Sequence, residues 1–501
     1  MLSGIGTRRK ASRLNLAAIP NCEFWVDAAR IGTITYASGS NVQEIRDLSG
    51  KNRHLTKTGS GNDTIYPVYN AAEKGIQFLS TAFDQMVAGN VGDWNFMHNG
   101  TGCTIMMMLK VNSDFAANGI LLSTASDVAA GVGTNLSYYN TNQNLNVTTR
   151  NGTSQTFVSN GATSSLQKDI TQIFSVHIEN RASVVPDLVT RNKGITDIIT
   201  NPASTFSNAN STDKLFVSKL ASGVMKGKFI LKKVAIFSRR LRPDEEQRIL
   251  RAWAKDDNIT LTLPAPKNLA VIAGQSNAKG RGVISESSYV GGAATISNAY
   301  IWNNSSFAWA NLQAGVNNDA YDTTKLGVEM SLAKNFTTSK AQPLYIMKYA
   351  VDGTSVVQWL PATGSFNTLR DMIQRAVWSI EDSGSPVRPV AFIWYQGESD
   401  AMNATDAGNY MARLQQFIDG VNTIYGVAQI PFFIVQIQQS PYQVGTVTVQ
   451  DAGFVTSVTS PYSAYTSFVE TGDIAVNLDT HHITAASFEA LGQRIVSRIR
   501  D

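Results

Sequence analysis

Four short motifs in the second half of the chain carry side chains able to do chemistry. Gly274-Gln275-Ser276-Asn277 follows directly on an apolar run. A serine hydroxyl at such a point can act as a nucleophile if a base lies within hydrogen-bond reach, and the turn after it can aim backbone N–H groups at an anion. Taken alone, the tetrapeptide reads as well as an ordinary turn, where Ser, Asn and Gly are common. The base has few possible sources. Residues 267–501 contain two histidines, adjacent in Asp479-Thr480-His481-His482. A carboxylate can hold one imidazole nitrogen and turn the other towards a serine. The Asp-x-x-His spacing favours His482, with His481 as the rival, and an isolated motif of this kind also suits a surface turn that caps a helix. Trp394-Tyr395-Gln396-Gly397-Glu398-Ser399-Asp400 brings polar groups abruptly out of an apolar run. Its plainer reading is a strand exit with Glu398 and Asp400 in water. In Lys348-Tyr349-Ala350-Val351-Asp352-Gly353-Thr354, Gly353 could let its backbone N–H approach a substrate closely.

Elements that could position these motifs alternate along the same half. Near-continuous apolar runs at 269–273, 343–350, 389–395 and 432–438 suit parallel strands buried on both faces. Helical patterns lie at 325–336, 367–381, 406–424 and 485–500. Alternating strand and helix predicts a three-layer α/β/α sandwich with a parallel sheet. Three successive strands then end in a candidate catalytic element, at the edge where such sheets hold their sites.

The first half reads differently. Short runs at 23–28, 75–79, 104–111, 119–123, 170–178, 215–217 and 228–237 are separated by Gly, Asn, Ser and Asp clusters, which predicts an all-β sandwich or jelly roll. It closes with a helix over 242–255, where Pro243 suits a first turn, acidic residues follow, and Ile249, Leu250 and Trp253 share a face. The expected organisation is an N-terminal extension at 1–19, a β-sandwich at 20–255, a Pro-containing linker at 256–266 and an α/β domain at 267–501.

Composition narrows the class. The chain has 501 residues, 43% hydrophobic and only 16% charged, with a formal net charge of +4. That supplies material for two cores and gives no reason to expect a nucleic-acid partner. No apolar stretch predicts membrane insertion. The basic cluster Arg8, Arg9, Lys10 and Arg13 precedes a short apolar segment without a convincing cleavage site, so no signal peptide is expected. The two cysteines, Cys22 and Cys103, read as buried free thiols rather than a pair, and no Cys/His cluster suggests a metal site. Trp25 and Trp94 are expected in the core.

The GQSN, QGESD and DxxH triple, in this order, resembles the SGNH-hydrolase superfamily, and within it the carbohydrate-esterase branch of acetylxylan and sialate O-acetylesterases. Gly327-Val328-Glu329 and Trp359 fit that branch, and the resemblance covers residues 267–501. It implies a flavodoxin-like sheet and a cofactor-free serine esterase, with Ser276 as nucleophile, His482 as base and Asp479 orienting it. The oxyanion hole would use Ser276 and Gly353 N–H groups. The superfamily's GxND asparagine is missing from Gly397-Glu398-Ser399-Asp400, which points to Gln396 as the third donor, and Gln275, Asn277 and Glu398 would contact substrate. In the first half, Phe24-Trp25-Val26-Asp27-Ala28, Arg46-Asp47-Leu48-Ser49-Gly50-Lys51-Asn52, Gly75-Ile76-Gln77-Phe78, and Gly227-Lys228-Phe229 leading to Val234-Ala235-Ile236-Phe237 resemble laminin-G or concanavalin A-like jelly rolls, which bind glycans or act as spacers. Together the halves resemble phage tail spikes and fibres that deacetylate bacterial surface polysaccharide. That implies an acetylated polysaccharide partner, a virion or extracellular setting, and a homo-oligomer, a trimer in a tail protein. The alternatives are a glycan-binding virion protein with an inactive esterase half, and a lipase or thioesterase of the same superfamily.

Overall fold

Strand Cys103–Val111 is buried along almost its whole length, although its sequence CTIMMMLKV has no polar alternation. Both of its faces are covered. Cys103, Ile105, Met107, Leu109 and Val111 enter one apolar cluster, and Met106 and Met108 enter another. The same division runs through its neighbours. Phe24 and Val26 face the first cluster and Trp25 the second, while Val234 and Ile236 oppose Ala235 and Phe237. The second cluster is closed by the helix Pro243–Asp256, whose Ile249, Leu250, Trp253 and Ala254 cover the strands. Glu245 accepts from the Arg242 backbone N–H at 3.1 Å, which ties off the start of that helix.

The structure is a computed structural model. It describes residues 14–57, 65–79, 85–125, 131–140, 143–153, 155–159, 166–180, 188–200, 206–218, 226–287, 294–425, 429–477, 479 and 481–500. The N-terminal basic cluster, on which the expectation of no signal peptide rests, lies outside these residues. The chain forms two compact units, Met1–Pro264 with Glu381–Ser385, and Ala265–Ile380 with Pro386–Asp501. The first is all-β apart from its closing helix, a large curled antiparallel sheet, as the jelly-roll expectation requires at that level. Cys22 and Cys103 are free and buried, and Trp25 and Trp94 belong to the core.

The second unit holds a mixed sheet rather than the purely parallel one expected. In spatial order its strands are Ala308–Gln313, Thr295–Asn303, Leu344–Ala350, Lys267–Gly274, Val387–Tyr395, Phe432–Val435 and Thr466–Val469. All neighbours pair in parallel except Ala308–Gln313, which joins Thr295–Asn303 as an antiparallel edge hairpin. The first strand of this unit in sequence, Lys267–Gly274, is central, and the chain leaves it towards both sides. Strand order reverses there, which opens a crevice at the carboxyl ends of the three central strands. Helices Val328–Ser339, Gly364–Asp382, Ala404–Tyr425, Thr446–Val458 and Ala485–Arg498 accompany the sheet. Among the described residues, no helix is long and apolar enough to cross a membrane.

One buried charged group anchors the crevice. The Lys348 ammonium, 1% exposed, donates to Glu329 Oε2 at 2.8 Å, to the Lys279 carbonyl at 2.7 Å and to the Asn318 carbonyl at 3.0 Å. Glu329 Oε1 accepts from Asn318 at 3.0 Å and from the Gly327 N–H at 2.8 Å. Every charge is thus answered, and the helix that starts at Ser276 is held at its far end. Removing one partner strands the other's charge in the interior, at a cost of roughly 3–5 kcal/mol. Glu329→Ala should therefore lower the urea midpoint of the C-terminal unit, followed by tryptophan fluorescence, whereas an unchanged midpoint would contradict this role.

Candidate active site

The central strand ends at Gly274, where φ is +140° and a Cβ atom would lie 2.1 Å from the Tyr395 carbonyl oxygen. Only glycine fits so close an approach. The contact lets Gln275 N–H donate to that carbonyl at 3.1 Å while Val351 N–H donates to the Gly274 carbonyl at 3.0 Å. Both neighbouring strands therefore fix the turn. Ser276 opens the short helix Ser276–Lys279, and N–H groups of a first helical turn lack acceptors within the helix.

The opposing loop is closed by a bridge between Val476 and Ile483 and by the Asn477 N–H donating to the His482 carbonyl at 2.6 Å. Thr484 then caps the last helix by accepting from Ser487 N–H at 3.2 Å. This loop brings His482 Nε2 to 2.9 Å from Ser276 Oγ and His482 Nδ1 to 2.7 Å from Asp479 Oδ2. Burial raises the Asp479 carboxyl, but donation from the His482 backbone and ring and the His481 backbone outweighs it and holds the group below the usual range. An ionised carboxylate only accepts, so Nδ1 carries the proton and Nε2 is the acceptor facing the serine. His481 points elsewhere. Its Nδ1 lies 2.7 Å from the Asp479 carbonyl and its ring stands against that of His482, with centroids 4.2 Å apart. Among the described residues, Asp479, His481 and His482 also form a group whose ligand atoms lie within 4.8 Å, close enough for one cation.

A pocket of about 420 Å³ opens over these groups, and Gln275, Ser276, Gly353, Glu398, His481 and His482 are among the residues that line it. Gly353 has φ +67°, in the left-handed region that favours glycine. Asn277 and Gln396 sit differently from the sequence expectation. Asn277 is fully buried and off the pocket wall; its amide donates to Glu398 Oε1 at 2.7 Å and to the His481 carbonyl at 2.9 Å, and accepts from Ile483 N–H at 3.2 Å. It clips the His482 loop to the Ser276 turn. Gln396, 1% exposed, turns its amide inward, to Asp400 Oδ2 at 2.6 Å and the Thr354 carbonyl at 2.8 Å. Those acceptors hold the donor that was expected to face an oxyanion. Glu398 and Asp400 are buried rather than in water, and burial pushes both carboxyls up, opposed at Glu398 by Asn277 and at Asp400 by Gln396.

Sequence reasoning gave no role to the other lining residues, although Asp352 and Ser399 lie within its motifs. Arg281, Asp352, Ser399, Met402, Ser440, Tyr442 and Gln443 also line the pocket. Arg281 donates to Asp352 at 2.8 Å and lies 3.5 Å from the Tyr321 ring centroid. Its nearness to Ser276 in sequence was an available signal. Ser440, Tyr442 and Gln443 follow a four-residue strand and gave none.

Residues 266–501 match the family model described as carbohydrate esterase, sialic acid-specific acetylesterase. No curated protein matches the chain. Similar solved structures include a protein from Arabidopsis thaliana, 19% identical, covering 46% of this chain and 97% of that one with a TM-score of 0.40. NanS is 11% identical, covering 47% of this chain and 97% of that chain with a TM-score of 0.36. For a Trypanosoma rangeli sialidase the identity is 12% and the TM-score 0.31, and the match covers 46% of this chain and 32% of the sialidase.

Burial lowers the His482 pKa from its ordinary 6.5, against the opposing effect of the hydrogen bond its ring donates to Asp479. A base must be neutral to take a proton, so if His482 serves Ser276 as its base, ester turnover should fall as pH drops through a midpoint below 6.5. Asp479→Asn removes the stabiliser of the imidazolium and should move that limb lower still while cutting kcat. A limb above the ordinary value in the parent kcat/KM profile would contradict this geometry.

Proposed function

We propose that the C-terminal unit is a serine carbohydrate esterase that removes O-acetyl groups from a glycan. The observation that carries the reading is the continuous line from Asp479 through His482 to Ser276, with hydrogen bonds of 2.7 and 2.9 Å. Ser276 Oγ attacks the ester carbonyl while His482 Nε2 takes its proton. Ser276 and Gly353 N–H groups receive the negative charge on the carbonyl oxygen. Collapse of the tetrahedral intermediate releases the sugar hydroxyl, protonated by His482, and leaves an acetyl-enzyme. Water, activated by the same histidine, then attacks and frees acetate. The match of residues 266–501 to a sialic acid-specific acetylesterase model supports an acetylated sialic acid-type sugar as substrate. A polysaccharide carrying such groups, met by a virion protein, is the setting suggested by the sequence, and rests on the sequence alone.

The intact line of hydrogen bonds argues against an inactive, purely glycan-binding role. In the test, parent and Ser276→Ala, both checked by circular dichroism, are assayed on p-nitrophenyl acetate and on an O-acetylated sialyl oligosaccharide. The parent should release acetate from both, and the variant should lose about a thousandfold or more in kcat. Preference for long acyl chains over acetyl would favour the lipase or thioesterase reading, and equal rates in parent and variant would remove Ser276 from the mechanism.

A further inference from the structure

The lining of the pocket includes two large side chains in solvent. Tyr442 is 74% exposed and Met402 is 58% exposed, and both line the same pocket as Ser276 and His482. Exposed apolar surface beside a catalytic serine calls for an explanation, because water penalises it. Neither residue sits on slack chain. Gln443 Nε2 donates to the Glu398 carbonyl at 3.2 Å, and Thr446 Oγ1 donates to Gln443 Oε1 at 3.0 Å. Gly445 N–H donates to the Ala401 carbonyl at 2.9 Å, which joins the Tyr442 loop to the turn bearing Met402. A Cβ on Gly445 would fall 2.4 Å from Ala407 Cβ, so this junction is closely packed. On the near side, Gln438 Nε2 donates to the Thr471 carbonyl and hydroxyl, each at 2.8 Å. The loop is thus pinned on both sides of an aromatic ring that it holds in water.

We infer that Tyr442, with Met402 beside it, is the platform on which a sugar ring of the substrate stacks, so that this wall selects glycan esters over simple ones. This rests on the esterase reading. A pyranose presents a face of axial C–H groups that packs on an aromatic face, and its hydroxyls stay hydrated or meet polar neighbours. Ser399 and Ser440 are polar neighbours in the same lining. A tyrosine brings a large contact area with only two rotatable bonds to order. Tyr442 is a specificity-determining residue in this account, acting on ring binding and not on the proton transfers.

The experiment compares Tyr442→Ala and Tyr442→Phe with the parent on an O-acetylated sialyl oligosaccharide. Tyr442→Ala should raise KM roughly tenfold, in keeping with one lost stacking contact, and leave kcat within about twofold. Tyr442→Phe keeps the ring and should restore KM. The same pair is then titrated calorimetrically with the deacetylated oligosaccharide in a Ser276→Ala background. There the alanine variant should lose affinity and the phenylalanine variant keep it, so the ring's role is read even if the esterase reading fails. An unchanged KM and affinity in Tyr442→Ala would overturn the inference. So would a loss confined to p-nitrophenyl decanoate, which would make the wall an acyl-chain surface.

Discussion

Two segments that lie 204 residues apart in sequence meet through one buried amide. Asn277 sits one residue after Ser276, and its side chain grips the His481 carbonyl and the Ile483 N–H on either side of His482. Glu398 takes the remaining hydrogen on the same nitrogen and so joins the end of a third segment. A fully satisfied amide in a dry site is stiff, because breaking any of its bonds leaves a buried polar group unpaired. The distances from Asp479 to His482 and from His482 to Ser276 depend on that stiffness. His482 stands on a loop, and the clip joins the Val476–Ile483 bridge and the Asn477 N–H bond in keeping its Nε2 within reach of Ser276.

The sheet makes the clip possible. Gly274, Ala350 and Tyr395 end side by side because their strands are parallel neighbours in register. A central strand with chain leaving to both sides concentrates three loop starts at one edge. The close approach of Gly274 to the Tyr395 carbonyl then brings the Ser276 turn and the Gln396–Glu398 turn together. The Lys348–Glu329 group holds the same short helix from below.

Much of this was legible in the sequence, and the gaps have physical causes. The strands near 269–273, 343–350 and 389–395 were visible because burial on both faces enforces unbroken apolar runs. The edge hairpin Thr295–Asn303 and Ala308–Gln313 was not, since its exposed positions admit Ser, Asn and Ala. Helix Thr446–Val458 was missed because Val447, Phe454, Val455 and Val458 are exposed, which blurs its apolar face. In the N-terminal unit, Asn144–Asn151 was hidden by its Asn and Thr content, although most of it is buried. At the site, the residue types and their order pointed to Ser276, Asp479 and His482. Side-chain direction was beyond reach. Nothing in Gln396 or Asn277 as letters says that their amides turn inward, because that is decided by acceptors from distant segments.

The central claim is that Ser276 is an activated nucleophile, and selective covalent phosphonylation tests it most directly. The protein is treated with a fluorophosphonate, digested with trypsin and mapped by mass spectrometry. The peptide from Asn268 to Lys279 contains Ser276 as its single serine, so the site of attachment is unambiguous. One stoichiometric adduct on that peptide, formed at a rate that collapses in His482→Ala, is the result predicted here. No adduct there, or one that forms equally fast without His482, would contradict the account.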